Sequence, residues 1–94
     1  MLRINISSTG ASKLNFNELE KYDIPAPPNG FEPEENDEVI AQFEDERQAI
    51  DYSHALDEYA ETIDYTTPEY LIITDIINAI SNDEFVRTYI HSLL

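Results

Sequence analysis

A proline-rich segment interrupts this chain, and no single helix can continue through it from the residues before to the residues after. Residues 24–33, Ile-Pro-Ala-Pro-Pro-Asn-Gly-Phe-Glu-Pro, hold four prolines and a glycine. Each proline lacks a backbone donor and biases the residue before it away from helical geometry. The segment therefore predicts a loop or linker over 24–38. Its last part is acidic and contains Glu34, Glu35, Asp37 and Glu38.

Strand patterns occur on both sides of this segment. Apolar and polar residues alternate from Leu2 to Ser7, which is typical of a half-buried strand. The β-branched and aromatic residues of 39–44 predict a second strand. Between the first strand and the loop, we expect a turn over 7–12 and a short helix over 13–22.

Helical spacing dominates the chain after residue 45. Asp45 stands three residues before Gln48, a capping-box spacing, and apolar residues then recur every three to four positions, which predicts a helix over 46–64. Thr66, three before Glu69, predicts the cap of a second helix with Pro68 in its first turn. Ser81, three before Glu84, predicts the cap of a last helix. Its apolar stripe consists of Phe85, Val86, Tyr89, Ile90 and Leu93.

These elements indicate one small α+β domain over residues 1–94. We expect a short antiparallel strand pair packed against three to four helices, ending in a C-terminal helical hairpin. The chain has no cysteine, so neither disulfides nor a thiolate zinc site can reinforce its core. It contains no apolar run long enough for a signal peptide or a spanning helix, and we expect a cytoplasmic protein.

The charge of the chain is strongly negative and unevenly placed. The net charge is −15, from 20 acidic and 5 basic residues, and residues 32–69 hold fourteen of the acids but only one base, Arg47. Such a field repels nucleic acids and anionic membranes, so neither is expected as a direct partner. The expected partner is a basic protein surface.

The outer side of the predicted middle helix concentrates this charge. If Ile50, Leu56, Tyr59 and Ile63 face the core, six acids fall on the solvent side: Glu46, Asp51, Asp57, Glu58, Glu61 and Asp64. Several are like-charge neighbours three or four residues apart, and Arg47 to Asp51 is the single favourable pair at that spacing. A row of carboxylates on a rigid helix can act as a surrogate for DNA phosphates. A solvated acidic face without a partner is the alternative interpretation.

Other kinds of site find little support. The loop acids lack the spacing of a calcium loop. The chain has two histidines, His54 and His91, and no cysteine, which argues against a zinc site. Only Gly10 and Gly30 occur, so there is no glycine-rich phosphate loop. We therefore predict no catalysis, no metal and no cofactor. Tyr52 and Tyr65, beside the acids, are predicted to be exposed interface residues, whereas Tyr59 and Tyr89 are predicted to pack in the core.

Taken as a class, the chain resembles the small acidic inhibitors that phages and mobile elements direct against host defence, namely anti-CRISPR and anti-restriction proteins. The resemblance rests on the small size, the lack of cysteine, and the acidic helix that follows Val-Ile-Ala-Gln-Phe-Glu-Asp-Glu at 39–46. It implies a non-catalytic inhibitor that occupies the basic nucleic-acid-binding groove of an effector such as a CRISPR nuclease. An alternative is an interaction or assembly module, in which the apolar hairpin 68–94 pairs with another chain. That interpretation leaves a homodimer open.

Overall fold

The computed structural model describes residues 2–7, 19, 21–22, 24–33 and 38–93. Within these residues the chain forms three strands followed by three helices, which confirms the predicted α+β class. The strands are β1 (Leu2–Asn5), β2 (Phe31–Pro33) and β3 (Val39–Phe43). The helices are α1 (Glu46–Ala60), α2 (Pro68–Asn82) and α3 (Glu84–Leu93). The predicted turn over 7–12 and helix over 13–22 lie largely outside the described residues.

The sheet is antiparallel and has the order β1-β3-β2. β1 pairs with β3 from Leu2 opposite Phe43 to Asn5 opposite Ile40, so the predicted strand pair is confirmed. Side chains of β3 alternate between the core and the outer face, as the period of a strand requires. Val39, Ala41 and Phe43 are its buried members.

The third strand, β2, corrects the prediction that 24–38 is entirely loop. A turn brings the chain back, with the Gly30 N–H donating to the Pro27 carbonyl at 2.9 Å, and Gly30 has the positive φ of 78° that glycine adopts without strain. Phe31–Pro33 then pairs with β3. Because β2 is a short edge strand, its terminal proline removes no hydrogen bond to a further neighbour.

The core lies between the sheet and the helices. α1 packs mainly against α2, α1 also contacts β3, and α2 contacts β1. Leu56 of α1 and Ile73 and Ile76 of α2 are fully buried there. α1 ends at Ala60 rather than at residue 64, because the chain turns away over 61–63.

Two predicted helix caps are displaced along the chain. α2 is capped by Thr67, whose Oγ1 accepts a hydrogen bond from the Tyr70 N–H at 3.2 Å, and not by Thr66. α3 is preceded by Asp83, which accepts from the N–H groups of Phe85 and Val86 at 3.0 and 3.1 Å. Ser81 instead lies in the last turn of α2. A carboxylate at this position satisfies helix donors that would otherwise lack partners.

Candidate functional site: an acidic helix face and the cleft beside it

The start of α1 is fixed by two reciprocal hydrogen bonds. Asp45 Oδ1 accepts from the Gln48 N–H at 2.8 Å, which confirms the predicted cap. Gln48 Oε1 in turn accepts from the Glu44 N–H at 2.9 Å, one residue earlier than in a standard capping box. These contacts fix the first turn of α1, the helix that carries most of the acidic face.

The acidic face comprises six carboxylates, four on α1 and two in the segment that follows it. All are exposed except Glu46, which is half-buried, and they are Glu46, Asp51, Asp57, Glu58, Glu61 and Asp64. Arg47 is the one base on α1, and its Nε lies 3.7 Å from Asp51 Oδ1. Both side chains of that ion pair are largely exposed, so it stabilises the helix only weakly. Asp57, Glu58 and Glu61 are thus like-charge neighbours on one side of the helix.

Asp64 is held in a defined position after the helix. Its Oδ1 accepts from the Thr66 N–H at 2.9 Å and from the Thr66 hydroxyl at 2.8 Å. The hydrogen bond from the backbone and the one from the side chain both stabilise the carboxylate, and they lower the pKa of Asp64 below its usual value. Asp64 therefore keeps its negative charge to lower pH than an ordinary aspartate does.

Of the two tyrosines predicted to be exposed, Tyr65 is 78% exposed and Tyr52 only 6%. The prediction for Tyr52 is wrong because adjacent residues of a helix point about 100° apart. Tyr52 follows the exposed Asp51 in sequence but lies on the side of α1 that carries Leu56. Its ring packs against Phe43 with centroids 5.6 Å apart.

The two tyrosines predicted to lie in the core are half-buried. Tyr59 packs against the core, and its hydroxyl donates to Glu69 Oε1 at 2.7 Å. Tyr89 is likewise half-buried on α3.

The loop acids do not form a described cluster. Glu34, Glu35 and Asp37 lie outside the described residues. Glu38 is exposed, and its Oε2 accepts from Asn5 Nδ2 at 2.9 Å. This side chain therefore contributes to the contact between the end of the loop and β1.

Sequence reasoning missed a cleft where the three helices meet. Its volume is about 270 Å³, and its wall is mainly aliphatic, formed by Ile50, Ile77, Ile80, Val86 and Ile90. Four polar residues also line it, Ser53, His54, Asp57 and Ser81, and Asp57 places the cleft beside the acidic face. The available sequence signal was the apolar stripe of α3, which contributes Val86 and Ile90 to the cleft.

Most of that stripe is not covered. Val86 is fully buried, whereas Phe85 is 61%, Ile90 40% and Leu93 67% exposed. α3 has only ten residues, and Val86 is the one among them that is buried. Large apolar side chains left in solvent often mark a surface that contacts another molecule.

Within the described residues, no three or more histidine, aspartate or glutamate side chains are grouped so that they could hold a metal ion. In the same residues no helix has both the length and the apolar character needed to cross a membrane. Comparison of the chain with models of protein families, with curated proteins and with solved structures finds no match. The acidic face and the cleft are therefore the two features of the described residues that bear on function.

Proposed function

We propose that this protein is a non-catalytic inhibitor that acts in the cytoplasm by placing its acidic face in a basic, nucleic-acid-binding groove of an effector protein, such as a CRISPR nuclease. The observation that carries the proposal is the row of exposed carboxylates on α1, with a single base beside it. The acids would take the places of DNA phosphates, and the release of counterions from the groove would favour binding.

The spacing of the charges suits this role. Glu46 and Glu61 are fifteen residues apart, a distance of roughly 22 Å along a helix. Five carboxylates over this length give roughly one charge per 4–5 Å, comparable with the roughly 3.4 Å per phosphate along one DNA strand. The short loop after α1 adds Asp64 in a fixed geometry.

The cost of this arrangement to the helix also supports a binding role. Asp57 and Glu61, and Glu58 and Glu61, stand at spacings where like charges destabilise a helix by roughly 0.2–0.5 kcal/mol per pair. A surface that needs only to be soluble can intersperse acids with lysines, and this arrangement avoids the repulsion. A basic groove would relieve it, because each carboxylate would then face a cation.

The test is a pull-down from host lysate with the immobilised protein at low and high salt, followed by identification of captured proteins and measurement of their affinities. We expect a basic nucleic-acid-binding protein whose binding weakens with salt and is competed by duplex DNA. The variant with Asp57, Glu58 and Glu61 all changed to lysine should lose that binding.

The matched control changes three acids that do not belong to the acidic face, Glu18, Glu20 and Glu84, to lysine and alters the net charge equally. It should keep most of the affinity. Equal binding by wild-type protein and both variants, or equal loss in both, would contradict the proposal, because then the acidic face has no special role.

A second candidate function is an interaction or assembly module that uses the helical hairpin of α2 and α3. The exposed Phe85 and Leu93 favour it. Sedimentation of the purified protein tests it: a dimer that persists in high salt, and that Phe85→Ser dissociates, would support assembly through α3 over the acidic face.

A further inference from the structure

We infer that the cleft between the three helices is a docking site for an aliphatic side chain of a basic amphipathic helix, presented by the partner that binds the acidic face. This inference rests on the proposed function and adds the chemistry of the partner. The partner would contact the protein through cations on the acidic face and through one apolar anchor in the cleft.

The lining of the cleft determines what kind of group fits it. Ile80 and Val86 are almost fully buried and form its floor, while Ile50, Ile77 and Ile90 are accessible along its sides. Its volume of about 270 Å³ is just below the usual range of about 300–1,000 Å³ for small-molecule sites. An inserted side chain suits a cleft of this size and apolar character better than an entire ligand does. Amphipathic helices bind grooves in this way, with an apolar face inward.

Charge complementarity identifies the occupant as basic. Asp57 lies on the cleft wall, and Glu61 follows one turn later on the same side of α1. His54 lines the same wall. Arg87, on α3, lines a different depression with Glu84 and His91. A helix that puts an apolar side chain into the cleft therefore brings its flanking residues against Asp57 and Glu61, where lysine or arginine is favoured.

A second copy of this chain is a poor occupant on the same grounds. Each copy has a net charge of −15, and apposing two acidic faces beside the cleft would add like-charge repulsion. Self-association is therefore an outcome that the test must be able to detect.

The test uses two fluorescent synthetic peptides as probes, each of fourteen residues and with the same number of lysines. One carries leucines along one helical face, and the other has alanine at each leucine position. By fluorescence anisotropy the wild-type protein should bind the leucine peptide about tenfold more tightly, the factor that about 1.4 kcal/mol gives. Equal affinities for the two peptides, or no binding of either, would overturn the inference.

Variants separate the cleft from the acidic face. Ile90→Ser should reduce binding of the leucine peptide to the level of the alanine peptide and leave the latter unchanged. Leu71→Ser is the matched control, because Leu71 is 46% exposed and Ile90 40%, but Leu71 lies on the opposite edge of α2 from Ile77. Changing Asp57, Glu58 and Glu61 to lysine should weaken the binding of both peptides.

Two further results would distinguish failure of the inference from failure of the proposed function. If wild type binds both peptides equally and the lysine variant binds neither, the acidic face is supported as a binding surface and the cleft is not a docking site. If the leucine peptide binds wild type and the lysine variant with the same affinity, the partner is not basic and both proposals fail.

NMR locates the bound peptide on the protein. Amide chemical shifts of the wild-type protein should change at Ile77 and Ile90 when the leucine peptide binds. Shift changes confined to Phe85 and Leu93, or a salt-resistant dimer joined through the cleft, would overturn the inference.

Discussion

The hydroxyl of Tyr52 donates a 2.6 Å hydrogen bond to the backbone carbonyl of Pro25. This contact ties α1 to the start of the proline-rich segment, twenty-seven residues away in sequence. The ring that carries the hydroxyl is buried against Phe43 of the central strand. One side chain thus joins the loop, the sheet and the helix that carries the acidic face, and its removal should be felt in the stability of the fold.

Replacing Tyr52 by phenylalanine should lower the free energy of unfolding by about 1 kcal/mol, because the Pro25 carbonyl loses its donor. Urea denaturation measures the change. Tyr65→Phe is the control, since removing the hydroxyl of this exposed side chain should change the free energy of unfolding very little. A loss for Tyr65→Phe as large as that for Tyr52→Phe would contradict this assignment.

The same pair of variants tests a dependence on alkaline pH. Burial raises the pKa of Tyr52 well above its usual value, which is about 10. As the pH rises above about 10, the unfolded chain releases this proton while the folded chain retains it, so the free energy of unfolding falls. The fall should be shallower in Tyr52→Phe than in wild type and unchanged in Tyr65→Phe. Denaturation curves from pH 9 upward, an interval chosen around that usual pKa of about 10, provide the measurement.

Changing Asp83 to alanine should destabilise the protein by about 1 kcal/mol, because the first N–H groups of α3 lose their acceptor. Ser81→Ala should be neutral or slightly stabilising, because Ser81 is exposed near the end of α2, where alanine is the better helix former. Thermal unfolding of the two variants compares them directly. A larger loss of stability in Ser81→Ala than in Asp83→Ala would mean that Ser81 caps α3, as the sequence predicts.

Glu61→Lys should stabilise the protein by about 0.5–1 kcal/mol while weakening the proposed binding. The change turns two repulsive spacings, to Asp57 and Glu58, into attractive ones and places a cation at the C-terminal end of α1. Asp51→Lys makes the same change in net charge but removes the partner of Arg47, and it should be neutral or destabilising. Urea denaturation would contradict the argument if both variants gained stability equally, since net charge alone would then explain the gain.

Carboxyl NMR titration should find the pKa of Asp64 below that of an ordinary aspartate. Thr66→Ala removes the side-chain hydrogen bond and leaves the backbone one, so the pKa should rise partway towards the usual value. Thr62→Ala, a change of the same kind outside this contact, should leave it unaltered. A pKa that ignores Thr66→Ala would mean that the hydroxyl does not bind Asp64 in solution.

Local sequence signals predicted the elements whose determinants are close together along the chain. Alternation of apolar residues predicted β1 and β3, and the Asp45–Gln48 spacing predicted the start of α1. The predicted caps of α2 and α3 lie one and two residues away from the observed ones, because neighbouring polar residues offer equivalent acceptors. Thr66 and Thr67 have the same side chain, and only the path of the chain after Asp64 decides which hydroxyl meets the Tyr70 N–H.

The sequence by itself determined the fold class, the charge of the middle of the chain and its placement along one helix, because helical period and charge are properties of consecutive residues. Tertiary structure alone decided that Phe31–Pro33 becomes an edge strand, that Tyr52 turns inward, and that Ile90 borders an open cleft. Each of these depends on which segments meet across the fold. Strand pairing and burial are set by partners distant along the chain, whose positions no local pattern specifies.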